Sequence, residues 1–493
     1  MLKTVPFSGC TSEQYEVYLN GQRVDCAWSR ISAVPYSRKW TGEQRAESQT
    51  MPMPFVTFAA DERVDVRVVG LPKPEQAVIR PLSASVKFDV SESGICFSLQ
   101  RPGTYLLETD GGNVIAFLYR GLLNTLARET KTNTVFFGAG IHRPGRIELK
   151  SNQTLMIAPG AVVYGSVFAL NATGIRICGG GVLCGSEIER EGENVLLSSG
   201  DGQALNLEDE AAFEAQFRER KCTFGGIQLY GCKKVEISNI ILTDSPVNAV
   251  TLAACERVRM KEIFILGQWR YDAGGIAIVN SRDVRMENCF VRSFGDCVAL
   301  KGMEGFQGDV SDIQIRHSMF VCDWGRTLTV GEETAVKEIR DAVFEDLDLV
   351  HCAHAFLGIL VRGAAEICHV DFRSIRMEIT SSDKPPLYQL DLRKEYSEPE
   401  ISVPPVVADF AVMGNAEDEE SEPGEIHDIT VKNLHLRTDE GCAAPEFRLE
   451  GFGPRSGIRN VAISGIYWNG MRMTDPETIG ILVNAYVSKI AFS

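Results

Sequence analysis

One pattern recurs along this chain and limits what it can become. An apolar-x-apolar-x-polar-apolar phrase, its last place sometimes taken by a small residue, appears at 235–240 (VEISNI), 258–263 (VRMKEI), 284–289 (VRMENC) and 313–318 (IQIRHS). It returns at 342–347, 370–375, 429–434 and 461–466. From 235 to 370 the starts are separated by 23, 26, 29, 29 and 28 residues. A unit of that length, made of short strands without helical periodicity, cannot bury its own apolar face and has to stack on its neighbours. The stacked solution is an all-β fold, a right-handed parallel β-helix, predicted over 130–493. A polar fifth position (Asn239, Asn288, Asn433) suits a turn in the left-handed region. A β-propeller of similar repeat length needs four strands and hairpin turns per unit, whereas each unit here offers three short strands.

Residues 269–302 show the unit in detail. Strand-like runs at 275–279, 284–289 and 297–300 are short and alternating, and Asp272 and Asp296 stand just before two of them. That places acids at corners of the coil.

Residues 1–125 differ. Segments 15–19, 64–69 and 105–108 alternate cleanly between Gly, Pro and Asp turns, which predicts an N-terminal β-sandwich of antiparallel strands with one wet face. The sandwich is expected to cap the open N-terminal end of the β-helix, whose exposed strands would otherwise invite association; a carbohydrate-binding module is the alternative. The stretch 121–134 reads as the linker.

At 493 residues the chain exceeds one ordinary globular core. Its net charge of −16 and pI near 5.1 argue against nucleic acid as a partner, and its basic residues form no run. No stretch approaches membrane-spanning length and the N-terminus lacks an apolar leader, so the expectation is a cytoplasmic protein without a membrane partner. Fourteen cysteines are scattered, many on apolar strand positions, with no CxxC spacing; they read as reduced core fillers, with Cys289 and Cys297 stacked inside the coil.

The phrases at 134–142, 147–155, 158–165 and 175–181, with Asp244-Ser245-Pro246 and the stretch 269–302, resemble the polygalacturonase-like glycoside hydrolases. The sandwich-then-β-helix order resembles the related dextranase and isopullulanase group. This resemblance, over roughly 130–490, implies cleavage of glycosidic bonds by paired carboxylates. The family's Asn-Thr-Asp or Asn-Ser-Asp triplet corresponds here to Asp272-Ala273-Gly274, and its Asp-Asp before Cys to Gly295-Asp296. One aspartate of that pair is kept, Asp296. Gly274 and Gly295 stand where the family has acids, Gly325-Arg326-Thr327 replaces its Gly-His-Gly, and its Arg-Ile-Lys falls at Leu360-Val361-Arg362.

The residues themselves allow the chemistry to be rebuilt. Glycoside hydrolysis needs one protonated and one ionised carboxyl flanking the bond. Asp272 and Asp296 are 24 residues apart, close to one coil, and stacked strands lie about 4.8 Å apart. They are the expected catalytic pair, with Glu332 and Glu333 in reserve. Several carboxylates in a column repel and raise at least one pKa. Trp269, Tyr271 and Trp324 offer flat faces for sugar rings, Lys301, Arg326 and Arg362 offer donors, and Asp244 and Asp323 lie on the flanking coils. His317, His351, His354 and His369 lack an acidic or cysteine partner at metal spacing, and no phosphate-cradling loop opens a helix, so neither a metal nor another cofactor is expected.

Two insertions interrupt the repeat. The first, 186–225, includes a short helix expected at 209–220 and is placed to wall a cleft. The second, 381–425, is proline-rich and then acidic, and reads as a lid or a subunit contact, which leaves a homo-oligomer open. The function expected is an intracellular glycoside hydrolase, or transglycosylating relative, acting on an oligosaccharide. A carbohydrate-binding protein without catalysis and a β-helix lyase or isomerase are the alternatives.

Overall fold

The computed structural model describes all residues except 1, 8, 10, 34–46, 48–49, 93, 110–112, 122–132, 191–206, 220–221, 381–405, 415–422, 441 and 443. Most of the predicted linker, part of the first insertion and most of the second lie outside the described residues. Among the described residues no helix is long and apolar enough to cross a membrane.

From Thr134–Phe137 onward the strands form one continuous 27-stranded sheet in which pairing follows chain order. This is the parallel β-helix predicted from the repeat. Three faces can be followed by register. The first carries Val250–Ala253, Ile276–Val279, Val298–Gly302, Leu328–Thr334, Ala355–Val361, Val406–Val412 and Glu446–Glu450, each parallel to the next. Long strands such as Glu338–Cys352 serve the second face with their first half and the third with their second half.

The bend between those halves has a sequence cause. At the fifth position of every repeat, φ is positive: Asn239, Glu262, Asn288, His317, Asp346, Ser374, Asn433 and Gly465 all lie between +50° and +64°. One left-handed residue per coil turns the chain without breaking the strand on either side. A second such column, Lys234, Arg257, Asp283, Asp312, Asp341, His369, Asp428 and Asn460, precedes each repeat by one residue.

Inside the coil, Val284, Met286, Ile313, Ile315, Phe344 and Phe372 stack with their counterparts in a single core, which also takes Cys289 and Cys297. Cys255, Cys297 and Cys322 are fully buried, and each donates its thiol to a backbone carbonyl.

The N-terminal ten-stranded sheet, Lys3–Thr4 through Asn113–Gly121, is mostly antiparallel and curls around its own core of Val17, Val66, Phe97 and Phe117. Its placement corrects the expectation of an end cap. Ile31, Met53, Phe55, Leu106, Ala116 and Leu118 pack on Val182, Ile241, Phe264, Leu266, Phe290, Val321 and Val350, the outward side chains of the third face. The sandwich therefore lies along the flank of several coils. Where the third face is apolar on both sides, that is the only way to bury its outer row.

The second insertion also needs correcting. Within 381–425 the strand Val406–Val412 pairs with Ala355–Val361 on one side and Glu446–Glu450 on the other, so it belongs to the stack. The lid or subunit contact expected there falls on residues outside the description. In the first insertion the helix runs Glu210–Glu219, here α1; its Phe213 and Phe217 pack on Phe168, Phe224 and Tyr230 over the early coils of the first face.

Candidate active site

The corner joining the third face to the first is held by backbone bonds between successive coils. Gly295 N–H donates to the Ala273 carbonyl at 3.0 Å, Gly275 N–H to the Asp296 carbonyl at 2.8 Å, and Gly325 N–H to the Phe294 carbonyl at 2.8 Å. This ladder sets Asp272, in the left-handed region at φ +54°, beside Asp296 of the next coil. Asp296 is half-buried, and its Oδ1 accepts the Arg326 backbone N–H at 2.8 Å. Lys301 Nζ, at the end of its strand on the first face, donates to Glu333 Oε1 at 2.8 Å.

The three acids interact through this lysine. Asp272 is exposed to solvent, although protein is packed around its carboxyl. Desolvation is the main reason its carboxyl is pushed up to about 6; Asp296 and Glu333 add repulsion, opposed by Lys301 and Arg190. Burial works against the charge on Lys301, yet Glu333 and Asp296 hold it above the usual lysine range. The result is a carboxyl that is largely protonated below pH 6, one coil away from a second acid.

Of the two glycines that stand where the family has acids, Gly274 is sterically enforced, and so is Gly325 beside Asp296. A Cβ at Gly274 would lie 2.6 Å from Asn248 Oδ1, which also accepts the Gly274 N–H at 3.1 Å. A Cβ at Gly325 would lie 2.7 Å from Asp296 Oδ1. Asn248 occupies the space that a side chain at 274 would need.

Residues 187–385, less than half of the chain but including Asp272, Asp296, Lys301 and Glu333, match the sequence profile of glycosyl hydrolases family 28. Over those residues the chain is similar to the polygalacturonase-like glycoside hydrolases. Dex49A from Penicillium minioluteum is similar in fold, with a TM-score of 0.66 at 15% identity, over 99% of this chain and 95% of that one. A hyperthermoactive exopolygalacturonase from Thermotoga maritima is similar with a TM-score of 0.52 at 15% identity, over 73% of this chain and 84% of that one. No curated protein matches in sequence.

The other expected site residues divide into two groups. Tyr271 and Trp324 are partly exposed and flank Phe294, on which Trp324 stacks at 5.5 Å and 8°, so an aromatic ladder follows the corner. Arg326 approaches Glu332 at 3.6 Å and Asp409 at 3.5 Å, and Arg362 approaches Glu332 at 3.7 Å. Glu332 is thus tied between two arginines. Burial, with Arg326 nearby, holds His354 down at about 4, so its ring is neutral.

Three expectations are corrected. Trp269 is buried, and its indole N–H donates to Asp244, so it presents no face to a sugar. Asp244 is itself buried, 3.8 Å from Arg270. Asp323 is 1% exposed and accepts Arg292 Nε at 3.2 Å, a closed internal pair. All three side chains brace the corner from within and do not line the groove.

Sequence reasoning missed Asn248, Arg190 and Asp409. Asn248 lies two residues beyond the Asp-Ser-Pro phrase, and Asp409 sits in the apolar run 406–412 that alternation would have flagged as a strand; nothing local marks Arg190. Potential metal ligands converge elsewhere: among the described residues Glu366, Cys368 and His427 form one such group, on the second face.

Proposed function

We propose that this glycoside hydrolase cleaves a neutral oligosaccharide, with Asp272 as general acid and Asp296 as the ionised partner. The observation that carries the reading is the convergence of Asp272, Asp296 and Glu333 on Lys301, with Asp272 alone pushed up to about 6. A proton donor working near neutral pH needs such a shift, and its partner has to stay charged. The preference for a neutral sugar follows from the cations. Lys301 is engaged by Glu333, Arg362 by Glu332, and Arg326 by Glu332 and Asp409, so a uronate would have to displace a carboxylate from each. The buried thiols of Cys255, Cys297 and Cys322 fit a reducing, intracellular setting.

The test is release of reducing ends from panels of neutral and uronate oligosaccharides. Asp272→Asn and Asp296→Asn are each expected to lower turnover on the best substrate about 100-fold or more without a lower melting temperature. If both variants fold and turn over at near wild-type rate, the assignment is wrong. An ultraviolet-absorbing unsaturated product would mean elimination, and binding without turnover would mean a carbohydrate-binding protein.

A further inference from the structure

On the second face, away from the groove, three side chains of different chemistry meet. Cys368 and His427 are register partners on adjacent strands, Glu366–Ile379 and Ile426–Thr438, and Glu366 lies two residues before Cys368 on the same side of its strand. A carboxylate oxygen of Glu366, the Cys368 sulfur and a His427 ring nitrogen all fall within 4.8 Å of one another.

The imidazole is held in one orientation. His427 Nδ1 lies 2.7 Å from Asp428 Oδ2, Asp428 Oδ1 accepts Asn460 Nδ2 at 3.0 Å, and Nε2 lies against Glu366 Oε1, so the ring is fixed between two carboxylates and Nε2 is the nitrogen that faces Glu366. This is the carboxylate–histidine arrangement that orients a metal-ligating ring. Cys368 is 5% exposed, and its thiol makes no hydrogen bond among the described residues, whereas the thiols of Cys232, Cys255, Cys289 and Cys297 donate to carbonyls. Among those residues the sulfur thus has no hydrogen-bond partner, beside a ring nitrogen and a carboxylate that a cation could share with it.

We propose that Glu366, Cys368 and His427 Nε2 bind a zinc ion. Sulfur, imidazole and carboxylate are zinc's ordinary ligands, and the exposed side of Glu366 leaves the fourth, water-filled position open. Binding replaces the Cys368 thiol proton, so the metal neutralises a thiolate and a carboxylate together. Cys368 and His427 are 59 residues apart in sequence, about twice the ordinary coil length, so the chain between them makes a long excursion from the repeat. The ion clamps the two strands from which that excursion leaves and to which it returns. The repeat spacing hides this site, because the histidine and the cysteine meet only after stacking.

Full-length protein stripped with a chelator and titrated with Co(II) should show the visible bands of tetrahedral cobalt and a thiolate-to-cobalt charge-transfer band, both displaced by one equivalent of Zn(II). Zinc should raise the melting temperature. Glu366→Gln, at a partly exposed position that should not disturb folding, and Asp428→Asn should each weaken zinc binding by about 10- to 100-fold. Cys368→Ser should remove the charge-transfer band, whereas Cys96→Ser in the sandwich should leave it intact. Absence of cobalt absorption, or equal zinc affinity in wild type and Glu366→Gln, overturns the proposal and leaves His427 in a plain ion pair.

Discussion

Asp272 differs from the other acids of the groove because its surroundings oppose its charge more than they support it. Its pKa of about 6 lies above the ordinary aspartate value, so the protonated form that donates to a leaving oxygen is populated below pH 6 and lost above it. The rate constant kcat/KM is therefore expected to fall as pH rises through about 6. Lys301 is the strongest influence holding that value down, so Lys301→Met should move the alkaline limb to higher pH, by about one unit at most; pH–rate profiles of the two proteins check this. Stability carries the matching sign. A carboxyl raised on folding stabilises the native state at low pH, and that contribution disappears as pH rises through the folded value. Asp272→Asn should consequently melt no lower than wild type at pH 8 while losing activity, the signature of a residue kept for chemistry.

At the scale of the element, the left-handed corner column explains how one short phrase can build a solenoid. Each coil spends one residue at positive φ between two faces, and the types found there range from Asn and Asp to Glu, His and Ser. Asn288 is exposed at φ +54°. Asn288→Gly should be nearly neutral, and Asn288→Val should cost about 1–2 kcal/mol because Cβ branching clashes in that region. Urea unfolding of both variants separates backbone strain from lost side-chain contacts. The same column accounts for what sequence reading could follow. Asn239, Asn288 and Asn433 announced the turn by type, while Glu262, His317 and Ser374 occupy it by register alone.

For the whole molecule, the sandwich is joined to the β-helix by charge as well as by apolar packing. Arg80 donates to Glu108 at 2.6 Å within the sandwich and to Glu378 at 2.6 Å on the third face, and His351 approaches Glu108 at 3.0 Å. Burial raises Glu378 in spite of Arg80. Desolvation acts on Glu108 too, but His351 and Arg80 outweigh it and keep that carboxyl well below the usual range. Removing the shared cation leaves two acids buried without it, so Arg80→Met should destabilise by about 3–5 kcal/mol. Adding Glu378→Gln should recover part of the loss in denaturant unfolding. Full recovery by packing alone would show that the network contributes little.

The sequence by itself determined the architecture, because a 23- to 29-residue period of alternating strands has one stacked solution and local alternation decides which side chains face inward. It also marked Asp272, Asp296, Lys301 and Glu333, since corner acids one coil apart are forced onto neighbouring rungs. Tertiary structure decided what no spacing encodes. The sandwich lies along the third face because that face is apolar outside as well as inside, a property spread over strands more than 100 residues apart. Trp269, Asp244 and Asp323 turn inward because partners from other coils satisfy them. Asn248 fills the position left at Gly274, and Cys368 meets His427, through contacts that exist only once the coils are stacked.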